Sequence, residues 1–69
     1  MRLYFKMDLT DNTSIYMTTD KFESPLADRL SMEEILCEGI HQGLLNATTT
    51  YMVQEINVVS EETFRKNSL

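Results

Sequence analysis

The first twenty residues alternate between apolar and polar side chains. The apolar positions before residue 10 are Leu3, Phe5, Met7 and Leu9. After a polar stretch, Ile15 and Met17 continue the alternation. Because successive side chains of a strand point to opposite faces, this pattern predicts two strands, each with one apolar face.

The polar stretch Asp8–Ser14, with the sequence DLTDNTS, predicts the tip of a hairpin. A two-residue loop would pair Met7 with Tyr16 and set the apolar faces against each other. A three-residue loop, Thr10–Asn12, pairs Met7 with Ile15 and aligns those faces. Three-residue loops usually end in a left-handed residue, which asparagine tolerates better than most residues do. A calcium loop would need a glycine at its sixth position, and none is present here.

A helix is predicted over residues 32–42. Ser31 is a suitable N-cap, Glu34 follows three residues later as in a capping box, and Gly43 is placed to end the helix. At ~100° per residue, one side of this helix is formed by Met32, Ile35, Leu36, Gly39, Ile40 and Gly43. We expect that side to face the sheet.

Residues 48–59 are predicted to form a third strand, because β-branched residues and Tyr51 favour strands. Ser60 then starts a short terminal helix. Two opposite-charge pairs spaced four residues apart, which stabilise a helix, support this helix: Glu61 with Arg65, and Glu62 with Lys66.

The predicted order of elements is β-β-α-β. With a right-handed crossover, the third strand lies beside the first, which gives the sheet order 2-1-3. The fold class predicted for residues 1–69 is therefore a single small α+β domain. It has one helix packed on one face of the sheet and a short C-terminal helix.

The other face of the predicted sheet gathers all three tyrosines of the chain. The side chains expected there are Tyr4, Lys6, Tyr16, Thr18, Tyr51, Val53 and Val59. The solvent-exposed face of an antiparallel sheet normally carries polar residues, and an exposed apolar patch usually marks an interaction site. Two interpretations stay open: this face is an interface, or the terminal segment with Phe64 and Leu69 folds back and covers it.

The net charge and the lengths of the apolar runs exclude several classes of partner. The net charge is −5, from six Lys and Arg against eleven Asp and Glu. A nucleic-acid-binding surface needs a basic patch, so no nucleic acid partner is expected. No apolar run approaches the ~20 residues of a membrane span, and the N-terminus lacks the apolar region of a signal peptide. We therefore expect a cytoplasmic protein with no membrane partner.

Cys37 is the only cysteine, so no intramolecular disulfide can form. One Cys and one His cannot supply a four-ligand zinc site, and we predict no metal and no cofactor. A 69-residue chain is also near the size at which oligomerisation is needed to complete a core.

One cluster on the predicted helix suggests chemistry. Its outer side is expected to carry Glu34, Cys37, Glu38 and His41. A neighbouring imidazolium lowers a thiol pKa, which makes a thiol-dependent enzyme or redox sensor the alternative function. The two glutamates disfavour a thiolate, and a solvated helix face explains the same residues. We predict no catalytic residue here.

The prediction is a non-enzymatic protein–protein interaction module. It binds itself as a homodimer, through the open sheet face or by edge-strand pairing, or it binds another protein. Size and composition fit an accessory or inhibitory protein, including a phage-encoded one.

Overall fold

A computed structural model describes residues 2–22 and 31–68. In chain order, its elements are β1 (Leu3–Leu9), β2 (Ser14–Thr19), α1 (Met32–His41), α2 (Ala47–Met52), β3 (Val53–Val58) and α3 (Glu61–Asn67). The three strands form one sheet in the order β2-β1-β3. β1 is antiparallel to both neighbours. The predicted α+β fold and strand order are confirmed.

The hairpin has the predicted register. Met7 lies opposite Ile15 and Phe5 opposite Met17, with a turn closed by a hydrogen bond from Leu9 N to Thr13 O of 2.9 Å. Asn12, the last loop residue, has a φ of 68°, the left-handed conformation expected there. The apolar sides of β1 and β2 therefore share one face of the sheet.

That shared face carries the hydrophobic core. Phe5 and Met7 are completely buried and Met17 nearly so, while Ile35 of α1 and Leu45 pack with them. Gly39 lets Leu45 approach the helix, because a β-carbon at Gly39 would lie only 2.7 Å from Leu45 Cδ1. The three largest buried side chains thus all lie on the α1 side of the sheet.

The predicted buried side of α1 is only partly correct. The buried residues of the helix are Ile35, Glu38 and Gly39, whereas Met32 and Ile40 are 45% and 49% exposed. The helix is rotated so that Glu38, not Met32 or Ile40, approaches the sheet. Polar contacts of the Glu38 carboxylate, described below, account for this rotation.

The prediction of a strand over residues 48–59 is wrong in its first half, because residues 47–52 form α2. The Asn46 side chain accepts a hydrogen bond from Thr49 N at 2.9 Å. Thr49 Oγ1 accepts one from Asn46 N at 2.8 Å. This reciprocal cap satisfies two orphan donors of the first turn, which outweighs the low helix propensity of the threonines. The strand begins only at Val53.

β3 pairs with β1 through Val58 opposite Phe5 and Ile56 opposite Met7. The register shifts between Asp8 and Leu9, so that Val53 lies opposite Leu9. Val53 therefore packs against the core, and its predicted position on the other face is wrong.

α3 begins as predicted. The Ser60 side chain accepts a hydrogen bond from Thr63 N, and both expected ion pairs are present. They are Glu61–Arg65 at 3.3 Å and Glu62–Lys66 at 3.6 Å.

Candidate functional site

Four of the predicted interface residues share the sheet face opposite the core. Tyr4 lies opposite Thr18, and Lys6 lies opposite Tyr16. All four are half-buried. Val59, just past β3, donates its backbone N–H to Tyr4 O at 2.9 Å and lies beside that residue. The alternation of β1 and β2 thus places the first four side chains on the predicted face, and the pairing with Tyr4 places Val59 there too.

Tyr51 does not join them. It lies in α2 rather than in a strand and is 90% exposed. The predicted cluster of three tyrosines on one sheet face is therefore wrong, and only Tyr4 and Tyr16 belong to that face.

α3 occupies part of this second sheet face, where it lies against β1 and β2. The ring centroids of Phe64 and Tyr4 are 5.3 Å apart, with the rings tilted by 51°. The Tyr4 hydroxyl donates a hydrogen bond to Glu61 Oε1 at 2.8 Å. This bond, with some desolvation and the nearby negative charge, raises the pKa of Tyr4. As in the predicted alternative of a covering terminal segment, Phe64 packs on this face. Leu69, the other residue of that prediction, lies outside the described residues.

The cluster predicted on the outer side of α1 is not brought together. Glu34, Cys37 and His41 are exposed, but Glu38 is only 8% exposed and points to the sheet. The prediction that Glu38 belongs to an outer site is wrong. Within residues 2–22 and 31–68, no three His, Cys, Asp or Glu side chains are arranged to hold a metal ion.

The Glu38 carboxylate instead links α1 to β2. Oε2 accepts hydrogen bonds from Thr19 Oγ1 at 2.6 Å and from Gln42 Nε2 at 3.0 Å. Lys21 Nζ lies 3.3 Å from Oε1. The bonds from Thr19 and Gln42, and then the charge and bond of Lys21, lower the pKa of Glu38 against the opposing effect of burial. Alternation in β2 places Thr19 on the core side, which is the one sequence signal for this contact.

An open polar cleft of about 380 Å³ lies at the hairpin tip. It is lined by Lys6, Asp8, Leu9, Asn12, Thr13, Ser14, Gln54 and Glu55. Asp8 and Glu55 face each other across β1 and β3, and Lys6 Nζ is 3.6 Å from Asp8. The Asp8 carboxylate also accepts a hydrogen bond from Ser14 Oγ at 2.9 Å. Both of these Asp8 contacts are to residues of the hairpin.

The two outer edges of the sheet differ at one backbone group. At the β2 edge, Thr18 O accepts a hydrogen bond from Gln42 Nε2 of α1 at 2.9 Å. At the β3 edge, no hydrogen bond from residues 2–22 or 31–68 reaches the outward backbone groups. Val58, on the core side of this edge, is 45% exposed. Among the described residues the β3 edge is therefore open, with the apolar Val58 on its core side and the polar Glu55 and Asn57 on the other side.

Sequence reasoning also missed an apolar flank on α1, formed by Met32 and Ile40 with Leu44 just past the helix end. These side chains are between 39% and 49% exposed. At ~100° per residue, Met32 and Ile40 lie roughly 120° and 160° around the axis from Glu38. Since Glu38 faces β2, the apolar flank is on the side of α1 away from β2.

The surface charge is predominantly negative. Each of the five cations in the described part of the chain lies within 4.0 Å of a carboxylate, and these cations are Arg2, Lys6, Lys21, Arg65 and Lys66. Glu33, Glu34 and Glu55 are exposed carboxylates outside these ion pairs. A polyanion would therefore meet repulsion over most of the described surface.

Comparisons with protein-family models, with curated proteins and with solved structures find no match. Within residues 2–22 and 31–68, no helix has the length and apolar character needed to cross a membrane.

Proposed function

We propose that this chain is a non-enzymatic, cytoplasmic protein-interaction module that forms a homodimer along the open edge of β3. The observation that carries the proposal is the state of that edge, whose outward backbone groups are unpaired within the described residues beside the half-exposed Val58. Natural proteins usually protect such an edge with lysine, proline or a covering segment. Here the strand, VQEINV, contains neither lysine nor proline, and Glu55 is its one charged residue.

The hydrogen-bonding direction along β3 follows from its pairing with β1. Val59 N–H bonds to Tyr4 O, and antiparallel pairs alternate between bonded and non-bonded positions. Glu55 and Asn57 therefore direct their backbone groups inward to β1, while Ile56 and Val58 direct theirs outward. An antiparallel edge is complementary to itself about a two-fold axis, so a second copy of this chain can pair with it.

We place the two-fold axis at Asn57. Ile56 of one copy then lies opposite Val58 of the other, on the core side of both sheets. Glu55 lies opposite Val59 of the second copy, so like charges do not face each other. The joined sheet has six strands, and its apolar side extends across the interface.

Charge also supports a second copy at this edge. The two copies each carry a net charge of −5, so they repel over most relative orientations. Ile56, Asn57 and Val58 are uncharged. An interface centred on these uncharged residues between two acidic proteins strengthens as salt screens the repulsion between them. An interface held by ion pairs would weaken under the same conditions.

Sedimentation equilibrium at low and high ionic strength tests the proposal. We expect a monomer–dimer equilibrium that shifts toward dimer as salt is raised. Val58→Pro removes an outward donor from each copy without removing a bond to β1, a substitution that edge strands tolerate. Two lost hydrogen bonds of ~1 kcal/mol each weaken the dimer by roughly thirtyfold.

Val58→Thr is the matched control, because it keeps the β-branched shape and the backbone donor. Tyr51→Ser removes an exposed aromatic ring of α2 and leaves the edge unchanged. Circular dichroism establishes that each variant is folded. A wild-type chain that stays monomeric at high micromolar concentration, or a folded Val58→Pro variant that dimerises like the wild type, would refute the homodimer.

A further inference from the structure

The second face of the sheet lies opposite the core and contributes none of the fully buried side chains. The side chains that are fully buried, Phe5, Met7 and Met17, pack with Ile35 and Leu45 on the opposite side. α3 contributes no buried residue. Removing α3 from its position therefore leaves the contacts of the core in place.

α3 is attached by few contacts. It has seven residues, and a helix this short is marginal without tertiary contacts. Its attachment to Tyr4 consists of the Phe64 ring contact and the hydrogen bond to Glu61. The two ion pairs within α3 are exposed, and such pairs stabilise the helix itself by only ~0.3–0.5 kcal/mol each.

We infer that α3 is a detachable cover, and that the second face binds a short amphipathic helix of a partner protein in its place. α3 itself shows which chemistry this face accepts. The aromatic ring of Phe64 packs on Tyr4, and one turn earlier the Glu61 carboxylate accepts the tyrosine hydroxyl bond. The partner helix carries an acidic residue and, three positions later, an aromatic residue on one side.

Intramolecular competition sets the affinity of this site. A short tether gives α3 an effective concentration on the order of millimolar at the second face. A partner helix binds only when it displaces α3, so the free face has a higher affinity than the covered one. This arrangement makes the cover autoinhibitory. The site does not use the outward backbone groups of Ile56 and Val58 at the β3 edge, although Val59 borders both surfaces.

The test uses a peptide with the sequence of residues 60–68 as the partner helix, added to the full-length Phe64→Ala chain. We expect saturable chemical-shift changes at the amides of Tyr4, Thr18 and Val59. The wild-type chain, whose own α3 competes, binds the peptide at least tenfold more weakly. The same peptide with alanine in place of its phenylalanine is the control and produces no change.

Hydrogen exchange of the wild-type chain provides the second measurement. Amides in the last turn of α3 are expected to exchange through a local opening at least tenfold more often than the amides of Phe5 and Met7. Exchange of α3 only together with the core would overturn the inference. A Phe64→Ala chain that fails to fold would overturn it too, because a detachable cover leaves the sheet folded, as would a folded variant that does not bind the peptide.

Discussion

Replacing Glu38 with glutamine removes a buried negative charge while keeping the size of the side chain. The wild-type carboxylate is 8% exposed and accepts hydrogen bonds from Thr19 and Gln42 at 2.6 and 3.0 Å. A hydrogen bond to a charged group contributes about 1.5–3 kcal/mol, against about 0.5–1.5 kcal/mol for a neutral one. Two bonds that each lose ~1 kcal/mol make the variant less stable by about 2 kcal/mol.

The ion pair with Lys21 adds little to this value. The Lys21 side chain is 54% exposed, and exposed pairs contribute about 0–1 kcal/mol. In a domain of this size, 1 kcal/mol corresponds to about 4–8 °C in the melting temperature. A loss of about 2 kcal/mol therefore lowers the melting temperature by roughly 8–16 °C.

The pH dependence provides a signature that a simple packing defect lacks. Because the pKa of Glu38 is lowered in the folded chain, the carboxylate contributes stability above its unfolded pKa, which is about 4.3 for glutamate. That contribution is lost as the pH falls through the folded pKa. The difference in unfolding free energy between wild type and Glu38→Gln therefore has its largest value at pH 7 and decreases below about pH 4.

Urea unfolding followed by circular dichroism at pH 7 and at several acidic values measures this difference. Glu34→Gln is the matched control, since it removes one exposed carboxylate from the same helix, and surface substitutions usually change stability by no more than ~0.5 kcal/mol. Equal stability of Glu38→Gln and wild type at pH 7 would refute the buried contact. A difference between them that stays constant with pH would refute the role of the charge.

Three further predictions concern a helix end, a helix cap and a phenol. Gly43 has a φ of 79°, and no atom lies near the position of its missing β-carbon. Gly43→Ala therefore lowers the free energy of unfolding by about 1 kcal/mol through backbone strain alone, which urea unfolding measures. Asn46→Ala removes the α2 cap shared with Thr49 and costs about 0.5–2 kcal/mol. Thermal melting checks this value, and an unchanged melting temperature would contradict the cap. In a phenolate titration by NMR, Tyr4 ionises above its ordinary pKa of 10.0, and Glu61→Gln brings its midpoint down.

The hairpin register follows from sequence because one rule decides it. A shift of a single residue moves every side chain of a strand to the other face. Of the two-residue and three-residue loops, only the three-residue loop keeps Phe5 and Met7 on the same face as Ile15 and Met17. The terminal helix follows from its cap and its charge spacing, which are local signals. These features need no information about distant parts of the chain.

α2 and the phase of α1 depend on contacts that composition does not reveal. For residues 48–52, β-propensity favours a strand, but the bonds between Asn46 and Thr49 supply a helix cap. For α1, the apolar stripe is wide enough to allow more than one rotation. Thr19 decides among them, because its hydroxyl on the core side of β2 meets Glu38.

The rotation of α1 also affects the outer edges of the sheet. Turning Glu38 toward Thr19 brings Gln42 to the backbone of Thr18, which occupies one outward carbonyl of the β2 edge. The same rotation turns Met32 and Ile40 away from the core. A rotation that buried those two side chains would carry Gln42 away from β2 and leave two open edges, a geometry that favours unlimited strand addition rather than a closed dimer. If copies pair through their sheet edges as proposed, we expect a chain in which α1 adopts that other rotation to pair at both edges. Sedimentation equilibrium would then detect oligomers larger than a dimer.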